Sequence, residues 1–216
     1  MTHLLSNNLN LVIDTSSRIC QVAITQHDQV LAHVVDERSH GYGEIIFGLL
    51  GRALKESGIE KKELSAIYAI TGPGSFTGVR VGVSAALGVH MGLEIPLFGI
   101  SAFKAHKTQN MPFGQDMLVI LDARRVDVYV QAFSQDGVEL TSEMNISLVT
   151  LEEMFSNRMY RICGDYAESI SHVVCKNWHK NSNSFLKPLS IVQTEPEQSY
   201  APLYVRPPDV GFKKKD

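Results

Sequence analysis

The stretch from Ala66 to Leu93 reads AIYAITGPGSFTGVRVGVSAALGVHMGL, and the rest of the chain is read outward from it. Ala66 to Ile70 is a short apolar run of strand length, and the turn residues Thr71-Gly72-Pro73-Gly74 stop it. Ser75 predicts a helix N-terminus, because its hydroxyl can accept from the free N–H groups of a first turn. The next breakers come only near Gly92 and Pro96, so the helix runs from about Phe76 to Met91. Arg80 is its only charge. On a helical wheel Phe76, Val79, Val83, Leu87 and His90 fall on one side, and Gly78, Gly82, Ala85, Ala86 and Val89 on another. A helix this poor in polar residues should pack on both sides, against its own sheet and against a second helix. Gly74, Gly78, Gly82 and Ala86 recur every four residues, a bare ridge that lets another backbone approach closely. The ridge is assigned to the partner side.

The glycine loop does not match a phosphate-binding signature. A P-loop requires Lys-Ser/Thr after its last glycine, and here Val79-Arg80 follows Gly78. The spacing of Gly72, Gly74 and Gly78 is one residue too long for the dinucleotide fingerprint.

With 216 residues and 44% hydrophobic composition, the chain can bury about 70% of its unfolded surface. A net charge of −3 argues against a broad basic surface for nucleic acid, and Lys213-Lys214-Lys215 reads as a solvated tail. Cys20, Cys163 and Cys175 form no C-x-x-C pair, which suggests neither a disulfide framework nor a zinc knuckle. Met1 to Asn10 is too polar for a signal peptide, and Arg80, Ser84 and His90 interrupt the most apolar run. A cytoplasmic protein with no membrane span is expected.

From the N-terminus, Leu9 to Asp14, Ile19 to Thr25 and Val30 to Val35 read as an antiparallel meander joined by short turns. Ser39 caps a helix to Ser57 whose apolar stripe includes Tyr42, Ile46, Leu49 and Ala53, and Gly58 ends it. Opposite the stripe lie Glu44, Gly48, Gly51 and Lys55, where each interior glycine costs about 1 kcal/mol against alanine. That cost has no use on a face that meets only water. After a strand at Pro96 to Ile100, Ser101 starts a short helix to Lys107. The pattern then restarts, with strands at Met117 to Asp122, Val126 to Phe133 and Val138 to Ser147, a helix from Thr150 to Asn157, and a strand from Tyr160 to Cys163. A shift of 108 residues places Asp14 on Asp122, Val22 on Val130, Asp28 on Asp136 and Val30 on Val138, and Gly164-Asp165 follows its strand as Gly72-Pro73 follows the earlier one. Two similar halves are expected, residues 1–108 and 109–216.

A duplicated strand-strand-strand-helix-strand-helix unit resembles the actin, Hsp70 and sugar-kinase superfamily. The implied fold is α/β, a duplicated actin-like (RNase H-like) ATPase fold in which each half has a mixed sheet and flanking helices. Within that superfamily the chain resembles the bacterial TsaB (YeaZ) family. The resemblance rests on Leu11-Val12-Ile13-Asp14-Thr15-Ser16, the Ser39-His40 helix start, the string from Thr71 to Gly82, Gly99-Ile100-Ser101 and Leu121-Asp122-Ala123-Arg124-Arg125. Past Asp165 it thins to Tyr200-Ala201-Pro202-Leu203-Tyr204-Val205-Arg206, similar to the family's terminal Pro-x-Tyr-x-Arg element, and Lys176 to Lys187 matches nothing. The resemblance implies a non-catalytic subunit of the machinery that attaches a threonylcarbamoyl group to the tRNA adenosine beside the anticodon. It implies pairing with a catalytic paralogue, TsaD, and joining by an ATPase, TsaE. It also implies self-association through the same first two helices when the chain is alone, and tRNA contact only through the complex. The partner-binding residues expected are Glu44, Phe47, Gly48 and Gly51 on the first helix, with Ser75, Phe76, Gly78, Gly82, Ala85 and Ala86 on the second.

The residues themselves also argue against catalysis. A nucleotide-cleaving relative needs an acidic hairpin with a tight backbone turn in each half, but Asp14 is followed by Thr15-Ser16-Ser17 and Asp122 by Ala123-Arg124-Arg125. Asp14 and Arg124 remain weak candidates for nucleotide contact, and no cofactor or metal is expected. An ATP-dependent kinase is the alternative. A metallopeptidase is third, because no two histidines are four apart on a helix, leaving His40 with Glu44 as a weak ligand pair. Cys163 and Cys175 read as buried structural thiols, with no nearby histidine pattern beyond His172.

Overall fold

The computed structural model describes residues 8–38, 41–112, 114–124, 126–167, 169–170, 179–180, 185–203 and 205. Ser39, His40, Arg125, His172, Cys175, Lys176, Tyr204, Arg206 and the terminal lysines lie outside the described residues.

Leu9–Asp14 (β1) is buried along its whole length, as expected of a strand covered on both faces. Cys20–Gln26 (β2) and Gln29–Asp36 (β3) complete the meander, both antiparallel to their neighbour. Ala66–Gly72 (β4) and Leu97–Ser101 (β5) add in parallel on the other side of β1, giving the order β3-β2-β1-β4-β5. The second sheet repeats this order. Met117–Asp122 (β6) pairs antiparallel with Asp127–Phe133 (β7), which pairs with Met144–Ser147 (β8); Arg161–Cys163 (β9) and His179–Lys180 (β10) extend β6 in parallel, giving β10-β9-β6-β7-β8.

Helices alternate with the sheets in layers. Tyr42–Ser57 (α1) and Phe76–Leu93 (α2) cover one face of the first sheet, where Leu11, Ile13, Val22 and Ile24 meet Tyr42, Ile46, Leu49 and Ala86. Ala102–Asn110 (α3) and Pro188–Val192 (α5) lie between the sheets; Phe103 and Ile191 join Val12 and Ile70 of the first sheet to Met117, Val119 and Phe133 of the second in one buried cluster. Leu148–Phe155 (α4) closes the far side through Leu151 and Phe155 against Leu118, Ile120, Val128 and Val130.

Ser75 is the N-cap of α2, its Oγ accepting from the Gly78 N–H at 3.2 Å. Gly58 ends α1 with φ +71°, the left-handed conformation that glycine adopts without strain. Besides the start of α1, where Gly41 rather than Ser39 holds the N-cap position, three readings need correction. First, Asp14 pairs with Gln21 but Asp122 pairs with Val128, so the second hairpin is one residue shorter and Val22 is not the structural counterpart of Val130. Second, Val138 to Ser147 is not one strand. After the turn at Gly137 (φ +81°) the chain makes an isolated bridge from Glu139 to Phe133, leaves the sheet, and rejoins it as β8. Third, α4 begins at Leu148 because Ser147 rather than Thr150 supplies the cap, accepting from the Thr150 N–H at 3.1 Å.

Candidate functional site: a closed interlobe cleft and an open helix groove

The two acidic hairpins meet between the halves. Asp14, 1% exposed, spends its carboxylate on its own turn: Oδ1 accepts from Ser16 N–H at 2.9 Å and Ser16 Oγ–H at 2.7 Å, and Oδ2 accepts from Gln21 Nε2 at 2.8 Å. Gln21 Nε2 also donates to the Leu186 carbonyl at 3.1 Å, and its Oε1 lies 2.7 Å from His33 Nε2. Asp122 Oδ2 accepts from Arg18 Nη2 at 2.9 Å and Nε at 3.2 Å, an ion pair that ties one hairpin to the other. Asp122 Oδ1 accepts from the Arg124 N–H at 2.7 Å, and the Arg124 guanidinium Nε stands 4.0 Å from Oδ2. Behind them Asp165 accepts from the Asp122 N–H at 2.9 Å, and burial pushes its carboxyl up to about 7. Both candidates for nucleotide contact, Asp14 and Arg124, are therefore engaged within the hairpins themselves.

Little space remains between these groups. The cavity lined by Asp14, Ser16, Pro73, His106, Asp165 and Leu186 holds about 10 Å³, room for one water. A site for a small-molecule ligand occupies on the order of 300 Å³ or more. The hairpin turn that would cradle phosphate instead presents its carbonyls to α2: Ser16 O accepts from the Ser75 N–H at 2.7 Å. The residues present do not fit a bound nucleotide. Calorimetry on the isolated chain should show no saturable ATP binding, and micromolar binding that Asp14→Ala removes would contradict this reading.

The same packing reverses the assignment of the glycine ridge. Gly78 and Gly82 are buried, and a Cβ built on Gly78 would run into the Thr15 carbonyl oxygen, one on Gly82 into Thr15 Oγ1, and one on Gly74 into the Ser16 carbonyl. Thr15 Oγ1 donates to the Gly78 carbonyl at 2.7 Å. The ridge is shaped by the chain's own first hairpin, so Gly78 and Gly82 are not a partner-facing surface. Ala86 is likewise buried, and Ala85 reaches only the floor of a neighbouring groove. The wheel divides the helix correctly but carries no sign, because both sides are apolar or small. Ser75 and Phe76 are half-buried at the helix start, the Arg80 guanidinium lying 3.8 Å from the centre of the Phe76 ring.

The open side of α2 carries Arg80, Ser84 and Gly88, a row four residues apart. Together with α1 it forms a groove of about 320 Å³ lined by Gly43, Phe47, Arg80, Val81 and Ser84, with Ile46 and Ala85 beneath. Glu44, Phe47, Gly48 and Gly51 are all exposed on the α1 side, Phe47 by 59%. Side chains at Gly43, Gly48, Gly51, Gly88 and Gly92 would meet nothing within 4 Å, so no contact among the described residues explains them. Reasoning from sequence missed Gly43, Val81, Ser84 and Gly88; the lone charge of Arg80 was the available sign of the open side.

Among the described residues no three of His, Cys, Asp and Glu gather closely enough to hold a metal ion. Glu44 is exposed at the start of α1, and His40, its expected partner, is outside the described residues. Cys20 and Cys163 are buried free thiols; burial pushes Cys20 up to about 12 and raises Cys163 as well, so neither is a ready nucleophile.

Comparison with known proteins agrees with this architecture. A family model described as "TsaD: tRNA N6-adenosine threonylcarbamoyltransferase" matches residues 29–185. The tRNA threonylcarbamoyladenosine biosynthesis protein TsaB of Escherichia coli (strain K12) is 30% identical over 159 residues, 72% of this chain and 68% of that relative. TsaB of Bacillus subtilis (strain 168) is 27% identical over 151 residues, 68% of this chain and 66% of that relative. The structure of YeaZ from Pseudomonas aeruginosa superposes with a TM-score of 0.73, covering 91% of this chain and 99% of that one at 16% identity, which bears on the fold alone. The actin-like α/β fold is thus the observed one, and with a TsaB relative matched at 30% identity and a TsaD-type model spanning most of the duplicated sheets, the chain belongs to the TsaB (YeaZ) family.

Proposed function

We propose that this protein is the non-catalytic subunit that supports a TsaD-like catalytic paralogue in forming N6-threonylcarbamoyladenosine in tRNA, docking through the open α1–α2 face. The observation that carries the proposal is the row of exposed helix glycines, Gly43, Gly48 and Gly51 opposite Gly88, flanking Phe47 and the groove. Each glycine inside a helix gives up about 1 kcal/mol against alanine. Close approach of a second pair of helices is what would make use of it. The closed interlobe cavity supports the non-catalytic half of the reading, since a chain that cannot seat a nucleotide leaves the chemistry to its partner. No observation favours the kinase or the metallopeptidase.

In this reading a TsaE-like ATPase joins the pair, the chain alone forms a homodimer through the same helices, and the complex works in the cytoplasm. No membrane partner is proposed. α2 is 18 residues long and apolar enough to span a bilayer, but its Gly78, Gly82 and Ala86 side is occupied by the first sheet and its hairpin.

Sedimentation of the chain with a TsaD-like subunit tests the docking face. Phe47→Ala should weaken pairing by about tenfold or more, as expected of an aromatic anchor, with the melting temperature unchanged. Pairing at full strength in Phe47→Ala would remove the proposal. Because the chain is net acidic at −3, isolated protein should bind tRNA only nonspecifically, with affinity falling steeply as salt rises. Filter binding at two salt concentrations checks this, and salt-resistant, tRNA-selective binding would contradict it.

A further inference from the structure

A third concavity, of about 900 Å³, shares no lining residue with the interlobe cavity or the α1–α2 groove. One wall is the segment where the second half's third strand leaves its sheet, bringing Glu139, Ser142 and Glu143 together. The opposite wall is the extended run from Glu195 to Leu203. That run is fixed in place: the Glu197 N–H donates to the Gly99 carbonyl at 2.8 Å and the Leu203 N–H to the Thr71 carbonyl at 2.7 Å. Gly99 has no side chain to hold the run off, since a Cβ there would come within 2.7 Å of Tyr200 Cα. Gln131 of β7 and Lys104 of α3 complete the lining.

The charge of the cleft is unbalanced. Among the described residues four carboxylates, Glu139, Glu143, Glu195 and Glu197, face one ammonium, Lys104. Lys104 Nζ sits 3.0 Å from Glu197 and 3.9 Å from Glu139. Half-buried Glu143 has no hydrogen-bond or ion-pair partner among the described residues, and burial followed by the charge of Glu197 raises its pKa. A second, independent observation points the same way. Gln131 is only 2% exposed; its Nε2 donates to the Thr141 carbonyl at 3.3 Å, but its Oε1 accepts from no group among the described residues. A buried amide oxygen without a donor forfeits the hydrogen bonds it makes in water, so a donor supplied there is favourable. Excess carboxylate beside a waiting acceptor calls for a group that is both cationic and rich in N–H donors. The amide oxygen could also serve a bare metal ion, but among the described residues no three carboxylates gather closely enough to hold one.

We infer that this cleft binds an organic cation bearing ammonium or guanidinium N–H groups, with Gln131 Oε1 accepting at its base and Glu143 and the neighbouring glutamates supplying the charge. Such a group arrives either as a free polyamine or as an arginine side chain of another protein, and two probes separate these sources. Full-length protein is titrated calorimetrically with spermidine and with N-acetyl-argininamide, against NaCl at matched ionic strength and against MgCl2. Saturable binding of spermidine alone identifies the free polyamine; stronger binding of N-acetyl-argininamide identifies the side chain. Glu143→Gln should weaken the preferred probe about tenfold, the effect of losing a charged hydrogen-bond partner. Gln131→Leu should weaken it severalfold while the melting temperature holds or rises, because the unpaired oxygen is gone. Binding of neither probe beyond the NaCl control, equal binding of MgCl2, or unchanged affinity in Gln131→Leu would each overturn the inference.

Discussion

Gly78→Ala should destabilise the protein by about 3 kcal/mol or more, and Gly78→Leu should fail to fold. The added Cβ points at the main-chain carbonyl of Thr15, which is held by the β1–β2 hairpin on one side and by the Thr15 Oγ1 to Gly78 hydrogen bond on the other. A backbone oxygen so placed cannot rotate away. Gly82→Ala meets Thr15 Oγ1 instead, and a side chain can turn aside at the loss of its 2.7 Å hydrogen bond. Its cost is smaller, about 1–2 kcal/mol, even though alanine is the better helix former by nearly 1 kcal/mol. The exposed glycines behave in the opposite sense. Gly48→Ala enters open space, so it should stabilise the isolated chain by up to ~1 kcal/mol, and Gly48→Leu should fold normally while weakening association. Urea denaturation of the five variants, with sedimentation of those that fold, decides the matter. A stable Gly78→Ala beside a destabilised Gly48→Ala would mean that the two helix faces have been exchanged.

These contrasts show where the sequence was legible. The central strands β1 and β6 could be bounded to the residue, because a short, predominantly apolar run closed by aspartate has no competing reading. The order of elements in the first half followed from periodicity and from Ser75, Gly58 and Gly72, whose roles are local; in the second half the reading stopped at β9, short of β10 and α5. What failed depends on distance. The sign of α2 is set by Thr15, about 60 residues away, and no wheel contains that residue. The one-residue difference between the two hairpins is invisible to a fixed shift of 108, since identities such as Val22 with Val130 arise by chance in strands rich in valine. The break between Val138 and Met144 falls at Thr141-Ser142-Glu143, three polar residues in a row that interrupt the alternation, and it moves Glu143 out of the sheet. The walls of the acidic cleft come from α3, the broken strand and the run after α5, and no local pattern announces such a site. Gln131 in particular reads as an ordinary strand residue until its unpaired oxygen is seen.

Asp165→Asn and His106→Gln should tilt the pH dependence of stability in opposite directions, because in the parent protein the two contributions nearly cancel across mildly acid pH. Both side chains line the small interlobe cavity, with Asp14 beside them and Asp122, Arg18 and Arg124 next to Asp165. Burial raises Asp165 from 3.8 to about 7, so the folded state holds a proton there that the unfolded state has released. Its contribution to stability is complete below pH 3.8 and declines as pH rises to about 7. Burial lowers His106 from 6.5 to about 3, so the unfolded state holds the proton and the folded state does not. Stability from His106 is therefore complete above pH 6.5 and declines as pH falls toward 3. Between these limits the two slopes, each about 1 kcal/mol per pH unit, oppose one another. Asp165→Asn leaves the histidine unopposed, and stability should rise with pH up to about 6.5 and then level off. His106→Gln leaves the aspartate unopposed, and stability should fall with pH until about 7. Urea melts of parent and variants at half-unit steps from pH 5 to 8 read these differences directly, with every other titrating group common to all three proteins. Variants whose slopes shift in the same direction, or not at all, would show that the two groups do not titrate as their burial requires.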